Sequence, residues 1–350
     1  MSKKNYDLIV VGGGAMGMAT AYYAMQKGAE VLVIDRFDYF LPDSGRLKSN
    51  SVGATRQFRV QYSEAYMANL AVQSIPHWKA LSEVAGTPLV SDVGSLWLGN
   101  LESGGSEGQI RQAMHTMNDL GIPYEALTAQ QIEARFAFSG LPTHWGGFFQ
   151  KDGGSINIPA TFTVFYQKCI ASGKVTFIKN APVEAINNNK NGVAVITTQG
   201  TYEGQKAVLT VGPYTNDLIQ SLGFQLDIEI WQMVSCYFKK KQEIVNVPSW
   251  FAFAEGTTED PGFYYGFEEV GFKNMGYIRV APAFASHTMS DPKQRTTQPN
   301  QRDIELTENW VKNYMPALEP NAHFKTSCMA ALPKAGDKKM FLDFVPNQPA

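Results

Sequence analysis

The stretch from Tyr6 to Tyr22, YDLIVVGGGAMGMATAY, limits this chain more than any other. An apolar run, Leu8 to Val11, has the length of a buried strand. Three glycines follow, Gly12, Gly14 and Gly17, in the spacing G-x-G-x-x-G, and the next residues are rich in alanine and methionine and read as helix. In such a strand–turn–helix unit the first glycine permits a tight turn. The second lets backbone approach a pyrophosphate, and the third lets helix and strand pack closely. The helix start, at Ala15 and Met16, presents backbone N–H groups and a positive dipole end to phosphate.

Alone, this spacing is a weak signal. Here a second apolar strand, Glu30-Val-Leu-Val-Ile-Asp35, follows and ends in an acid, with Arg36 next. Asp35 stands about twenty residues past the first glycine, where a carboxylate binds ribose. An acid there argues against a 2′-phosphate, so NADP is disfavoured while FAD and NAD stay open.

With 350 residues the chain has material for two domains. A net charge of −2 provides no field to recruit nucleic acid or an anionic membrane. No apolar run is long enough to span a bilayer. Lys3 and Lys4 precede apolar residues as in a signal peptide. That apolar part is the glycine fingerprint, however, and no small-residue cleavage site follows, so a cytoplasmic location is expected. Cys169, Cys236 and Cys328 are odd in number and far apart, which argues against a disulfide framework or a zinc site. The five histidines lack ligand spacing, and no metal is expected.

Along the chain, Gly45 to Ala54 is small and polar. In Thr55-Arg-Gln-Phe-Arg59 the arginines Arg56 and Arg59 are three apart, so on a helical turn they would share a face. Helical patterns follow at 65–84, 109–120, after Thr128, and from Ile158 to about Ser172. Residues 183–186 and 193–198 flank an Asn-rich turn, a hairpin signal. Lys206 to Gly212 is a buried strand ending in glycine and leading to a helix at 214–222, a second strand–glycine–helix unit. From Asp227 the chain turns to short aromatic strands at 228–238, 250–254, 262–267 and 275–280, then a helix at 303–314 and a further hairpin within 324–345. A sheet beside a cofactor domain makes a substrate wall.

Four stretches together resemble the FAD-dependent amine oxidases of the monomeric sarcosine oxidase and N-methyltryptophan oxidase type, within the D-amino-acid-oxidase-like group. They are the opening fingerprint with Asp35, Gly53-Ala-Thr-Arg-Gln-Phe-Arg59, Tyr264-Tyr-Gly-Phe267, and Cys328-Met329 followed by Phe341-Leu-Asp343. The resemblance implies an α/β chain with a Rossmann-like FAD-binding domain and a second domain built on an antiparallel or mixed sheet. The FAD-binding segments are 1–87, 149–225 and 322–350, and the substrate segments are 88–148 and 226–321. Relatives of this type continue past the position of Ala350 through a glycine-rich segment and a final helix that complete the FAD domain and supply another carboxylate-binding lysine; a continuation of this kind and a site completed differently both stay open.

By the same resemblance Cys328 carries FAD as a thioether, Arg59 grips the substrate carboxylate, and Arg56 lies near the flavin ring. Tyr265 lines the substrate pocket and Val183 lies beside the adenine. Thr55 and Gly212 join the cofactor-binding set, and Cys169 and Cys236 remain core. The chain departs from close relatives at Val52 and Ala54, where they have histidine and aspartate. The flavin-facing lysine that assists oxygen is matched by Arg279, with Lys273 a nearby alternative.

The implied reaction is oxidation of a secondary or primary amine in a small amino acid, sarcosine-like or cyclic, by hydride transfer to flavin. It leaves an imine and, with O2, hydrogen peroxide. Two alternatives remain open at this point: a dehydrogenase of the same fold using another acceptor, and a flavin-binding partner or maturation protein with little turnover. The expected partners are the small substrate and O2, without nucleic acid or membrane, in a monomer or small homo-oligomer.

Overall fold

The computed structural model describes residues 5–38, 51, 53–105, 108–189, 192–241, 247–268, 276–283, 287–296, 298–334, 339–340 and 342–346. Val52, Lys273 and Phe341, singled out above, lie outside them.

Two sheets organise the chain. The first has six strands in the spatial order Val175–Ile178, Val31–Ile34, Asn5–Val11, Gly200–Leu209, Gly192–Thr197 and Val183–Asn189. The first four run parallel; the last two join antiparallel as the hairpin expected from the Asn-rich turn. Val31–Ile34 is wholly buried, and so is the Ile9 to Val11 end of the strand beside it, as near-continuous apolar runs in a covered parallel sheet must be. Helices Ala15–Gln26 and Ile158–Ala171 cover one face, where Met18, Tyr22, Phe162, Phe165 and Cys169 pack on Val10, Val31 and Val33. Leu218 and Ala181 pack on the other face, over Ile9, Val11 and Ile34.

The second sheet has nine strands, eight of them in a path that runs Thr288–Met289, Ile228–Lys239, Tyr277–Pro282, Phe263–Glu268, Ser249–Phe253, Ser95–Gly99, Gly146–Gln150 and Glu125–Thr128. It is mixed: Ser249–Phe253 runs parallel to Ser95–Gly99, and its other neighbours are antiparallel. The helix Gln301–Tyr314 closes one face through Trp310, which stacks on Tyr264 at 4.5 Å and on Trp250 at 6.1 Å between ring centroids. These rings anchor one large core. Among the described residues no helix is long and apolar enough to cross a membrane.

Two segments depart from the sequence expectation. Phe324–Pro333, grouped above with the FAD-binding segments, is the ninth strand of the second sheet and pairs along Ile228–Lys239, from Ile228 opposite Pro333 to Tyr237 opposite Phe324. Its partner is therefore distant in sequence; part of the hairpin expected for 324–345 lies outside the described residues, and among the described ones Phe324–Pro333 pairs with Ile228–Lys239. Thr55–Phe58 is a strand, paired with Gly154–Asn157, and not a helical turn. Its β-branched and aromatic ends suit the ladder, and strand periodicity sends Arg56 and Arg59 to different places.

Candidate active site

The opening turn is built as its glycines require. Gly12 has φ +97°, a conformation that side chains resist, and a Cβ there would stand 2.6 Å from the Thr210 carbonyl oxygen. A Cβ on Gly17 would stand 1.9 Å from the Gly12 carbonyl oxygen, so helix and turn approach to backbone contact. The Thr210 hydroxyl donates to the Gly12 carbonyl at 2.6 Å and ties the turn to the end of the neighbouring parallel strand. The backbone N–H of Ala15 donates to the Ser51 hydroxyl at 2.9 Å, and Met16 is exposed at the helix start.

Asp35 is buried. Its Oδ2 accepts from the Gly13 N–H at 2.7 Å and its Oδ1 from the Phe37 N–H at 2.8 Å. A carboxylate keeps lone pairs beyond two such bonds, so Asp35 both holds the turn and can still accept from a ligand hydroxyl. Gly12, Gly14, Asp35, Arg36, Val183 and Gly212 line one cavity of about 470 Å³ between the strand ends. This is the crevice at the carboxyl ends of a parallel sheet where nucleotides bind. Arg36 lies over the Tyr214 ring at 4.4 Å and pairs with Asp217 at 3.6 Å, giving the mouth a planar cationic wall.

A second constellation is assembled from side chains far apart in sequence. The guanidinium groups of Arg56 and Arg279 both donate to the carbonyl oxygen of buried Thr55, at 2.9 and 3.1 Å. Arg56 comes from the short strand and Arg279 from the large sheet, where it lies opposite Tyr237 and Phe267. Burial, then the adjacent Arg279 cation, pulls the Arg56 guanidinium below its ordinary range. Burial also pushes the Tyr265 phenol up, while Arg279, which hydrogen-bonds it, opposes that shift. Cys328 lies within electrostatic reach of Arg56 and Tyr265. It is half-buried on its strand, between buried Ser327 and Met329. The structure thus gathers Thr55, Arg56, Tyr265, Arg279 and Cys328.

Arg59 is separate from that pair. It is buried in an aromatic box, its guanidinium carbon 4.4 Å from the Phe251 ring centroid, 4.5 Å from Tyr62 and 5.5 Å from Trp97. Phe251 in turn packs on Tyr265 at 5.7 Å, so the box adjoins the constellation. Stacked rings fix the plane of a guanidinium, whose N–H donors lie in that plane. Arg295 is a residue the sequence reading missed. It donates to the Ser327 carbonyl and lies within reach of Cys328, Tyr214 and Arg56. Nothing in its polar stretch, Ser290 to Thr296, marks it. Among the described residues no group of three or more His, Cys, Asp or Glu could hold a metal ion.

The fit to FAD rests on these features: a glycine turn at backbone contact, a cavity of nucleotide size, and a buried cationic pair beside a cysteine. Comparisons with known proteins agree. The chain is 32% identical over 366 residues to a Dictyostelium discoideum protein whose name describes a bifunctional amine oxidase, a match covering 99% of this chain and 33% of that one, so the chain spans about a third of that relative. It is 24% identical to human peroxisomal sarcosine oxidase, over 99% of this chain and 85% of that protein. Among solved structures it resembles the open form of NikD, described as an unusual amino acid oxidase essential for nikkomycin biosynthesis. The TM-score is 0.86 at 32% identity, covering 95% of this chain and 83% of that chain. Residues 7–348 match the family of FAD dependent oxidoreductases, abbreviated DAO, and the chain belongs to that family.

Proposed function

We propose that the protein oxidises the amine of a small amino acid, of the N-methyl or cyclic type, to an imine that water then hydrolyses. The observation that carries this reading is the convergence of Arg56 and Arg279 on one carbonyl oxygen beside Tyr265 and Cys328, with the boxed Arg59 adjoining. The sarcosine oxidase and amino acid oxidase relatives support the substrate class.

Gly12, Gly14, Ala15, Met16 and Gly17 would receive the diphosphate, Asp35 the ribose, Val183 and Arg36 the adenine side, and Thr55, Gly212 and Cys328 the remainder of FAD. When bound, FAD supplies the two-electron acceptor, with O2 as final oxidant giving hydrogen peroxide. Cys328 would hold the ring through a thioether.

Arg59 pairs with the substrate carboxylate through two parallel hydrogen bonds. Its three rings keep water away and prevent the guanidinium from swinging, so the bound acid has one orientation. Tyr265, its phenol pushed up by burial, lines the pocket and can donate its hydroxyl hydrogen. Arg56 and Arg279 supply fixed positive charge where negative charge develops as electrons leave the substrate. No side chain acts as a base in this scheme. Orientation and electrostatics carry the acceleration.

The test is the visible spectrum of the purified protein, taken anaerobically before and after adding sarcosine, proline and cyclic imino acids. Bleaching of a flavin band by one of them is expected; an unchanged band with every amine removes the reading. Mixing the reduced protein with aerated buffer then identifies the acceptor: reoxidation within seconds is expected, and minutes would mark a dehydrogenase.

A further inference from the structure

We propose that Arg295 binds the anionic diphosphate of the cofactor, as the tip of a polar strap that the second sheet lays across the first. This deepens the flavin reading above and rests on it.

The strap runs from Ser290 to Thr296 and is fixed at both ends. At its start Asp291 caps a short turn, accepting from the Lys293 N–H at 2.8 Å, and Gln294 reaches back to Ser290 and Asp291. Lys293 lines the nucleotide cavity and pairs with Asp217 at 3.5 Å, the acid that also pairs with Arg36. At its far end Thr296 is gripped by the buried Gln232, which accepts from its N–H at 3.2 Å and donates to its hydroxyl at 3.2 Å. The Ser327 hydroxyl donates to the Thr296 carbonyl at 2.5 Å. Beneath the strap, Tyr214 at the cavity wall packs with Ile230, Met289 and Met329 of the second sheet.

Arg295 lies between these anchors. Its guanidinium is bonded to the Ser327 carbonyl, next to Cys328, and lies within electrostatic reach of Cys328, of Arg56 and of Tyr214 at the cavity wall. The glycine turn that would receive the diphosphate lines the same cavity as Tyr214, so a dinucleotide that fills the cavity and extends its flavin to Cys328 would bring its diphosphate past Arg295. A guanidinium is the side chain suited to a phosphate there, because its planar fork donates to two oxygens at once. The bond from Arg295 to the Ser327 carbonyl then joins the charge that holds the diphosphate to the strand that carries Cys328.

The experiment measures FAD affinity by fluorescence quenching. It uses the full chain as Cys328→Ala, from which bound flavin is dialysed out, alone and combined with Arg295→Gln or Arg295→Lys. The expected result is a rise in Kd of roughly ten- to a hundredfold for Arg295→Gln, the effect of losing one charge-assisted hydrogen-bonding group. The rise should shrink at high salt, Arg295→Lys should recover part of the affinity, and the melting point of the flavin-free protein should stay the same. An unchanged Kd overturns the proposal. So does a loss that lysine fails to repair and that comes with a lowered melting point, because Arg295 would then serve only the strand. A Cys328→Ala parent that refuses FAD altogether would overturn the flavin reading itself.

Discussion

The strand-end crevice and the arginine–tyrosine–cysteine constellation are built in opposite ways. The crevice is made of backbone: a glycine turn, three strand ends and one carboxylate held by two N–H groups. Its glycine turn and carboxylate come from segments close in sequence to the first strand, and most of the rest of its lining comes from 181–184, 210–220 and Lys293. The constellation is made of side chains from residues 55–59, 265, 279 and 328, brought together only when both sheets have formed. Backbone sites tolerate little change in shape, whereas side-chain sites lose function one group at a time. The difference predicts which substitutions remove the fold with the cofactor and which remove only chemistry.

The strongest break should come at the crevice. Gly17→Ala puts a methyl 1.9 Å from a carbonyl oxygen that the Thr210 hydroxyl holds in place. We expect a loss of about 4 kcal/mol or more, read as a lowered melting point and protein purified without flavin. Normal melting with full flavin content would mean that the turn is looser than its contacts indicate.

Next is Arg59→Ala, which empties the aromatic box. We expect a loss of about 3 kcal/mol in kcat/KM for carboxylate substrates, with the melting point and flavin spectrum little changed. Equal losses for an amine lacking a carboxylate would take Arg59 out of substrate recognition.

Cys328→Ala sharpens the contrast from the other side. The wild-type pellet from acid precipitation should stay yellow and the variant pellet should be white, while the folded variant still binds FAD through the crevice. A white wild-type pellet would leave the crevice as the sole holder of the cofactor.

The smallest effect compares the two cores. Burial pushes the thiols of Cys169, packed under the first sheet, and Cys236, in the second, up to about 12 from 9.0. Above pH 9 the unfolded chain releases these protons while the native chain keeps them. Stability is therefore intact below pH 9 and declines as pH rises towards 12, by about 1 kcal/mol per pH unit for each thiol. Melting points between pH 8 and 11 should fall along this line. Cys169→Ala and Cys236→Ala should each flatten the slope whatever they do to the absolute value; a slope unmoved in both would exclude the thiols as its cause.

The same contrast explains what the sequence revealed. The crevice was legible because local spacing dictates it: Gly12, Gly14, Gly17 and Asp35 lie within two strands and one turn, and each has a backbone job. The second sheet was legible as a run of aromatic strands, but its order was not, since pairing Ser249–Phe253 with Ser95–Gly99 depends on residues far away. The arginine pair was misread for the same reason. A spacing of three means a shared face only on a helix, and the partner that makes a strand of Thr55–Phe58 arrives at residues 154–157. Arg295 carried no signal at all, because its place is set by Gln232 and Ser327, each more than thirty residues distant.

The long pairing of Phe324–Pro333 with Ile228–Lys239 has a consequence for how the site can vary. Ser327, Cys328 and Met329 alternate between the two sides of the sheet, with Cys328 opposite Met233. Parity alone decides which side the sulfur takes. One residue added to the Glu319–His323 connection and passed into the ladder would turn the sulfur inward and Ser327 or Met329 outward. Two residues would restore the side but displace the sulfur by about 7 Å along the strand. Length changes near this edge therefore have no gradual path: the ladder keeps the thiol in place or loses it in a single step.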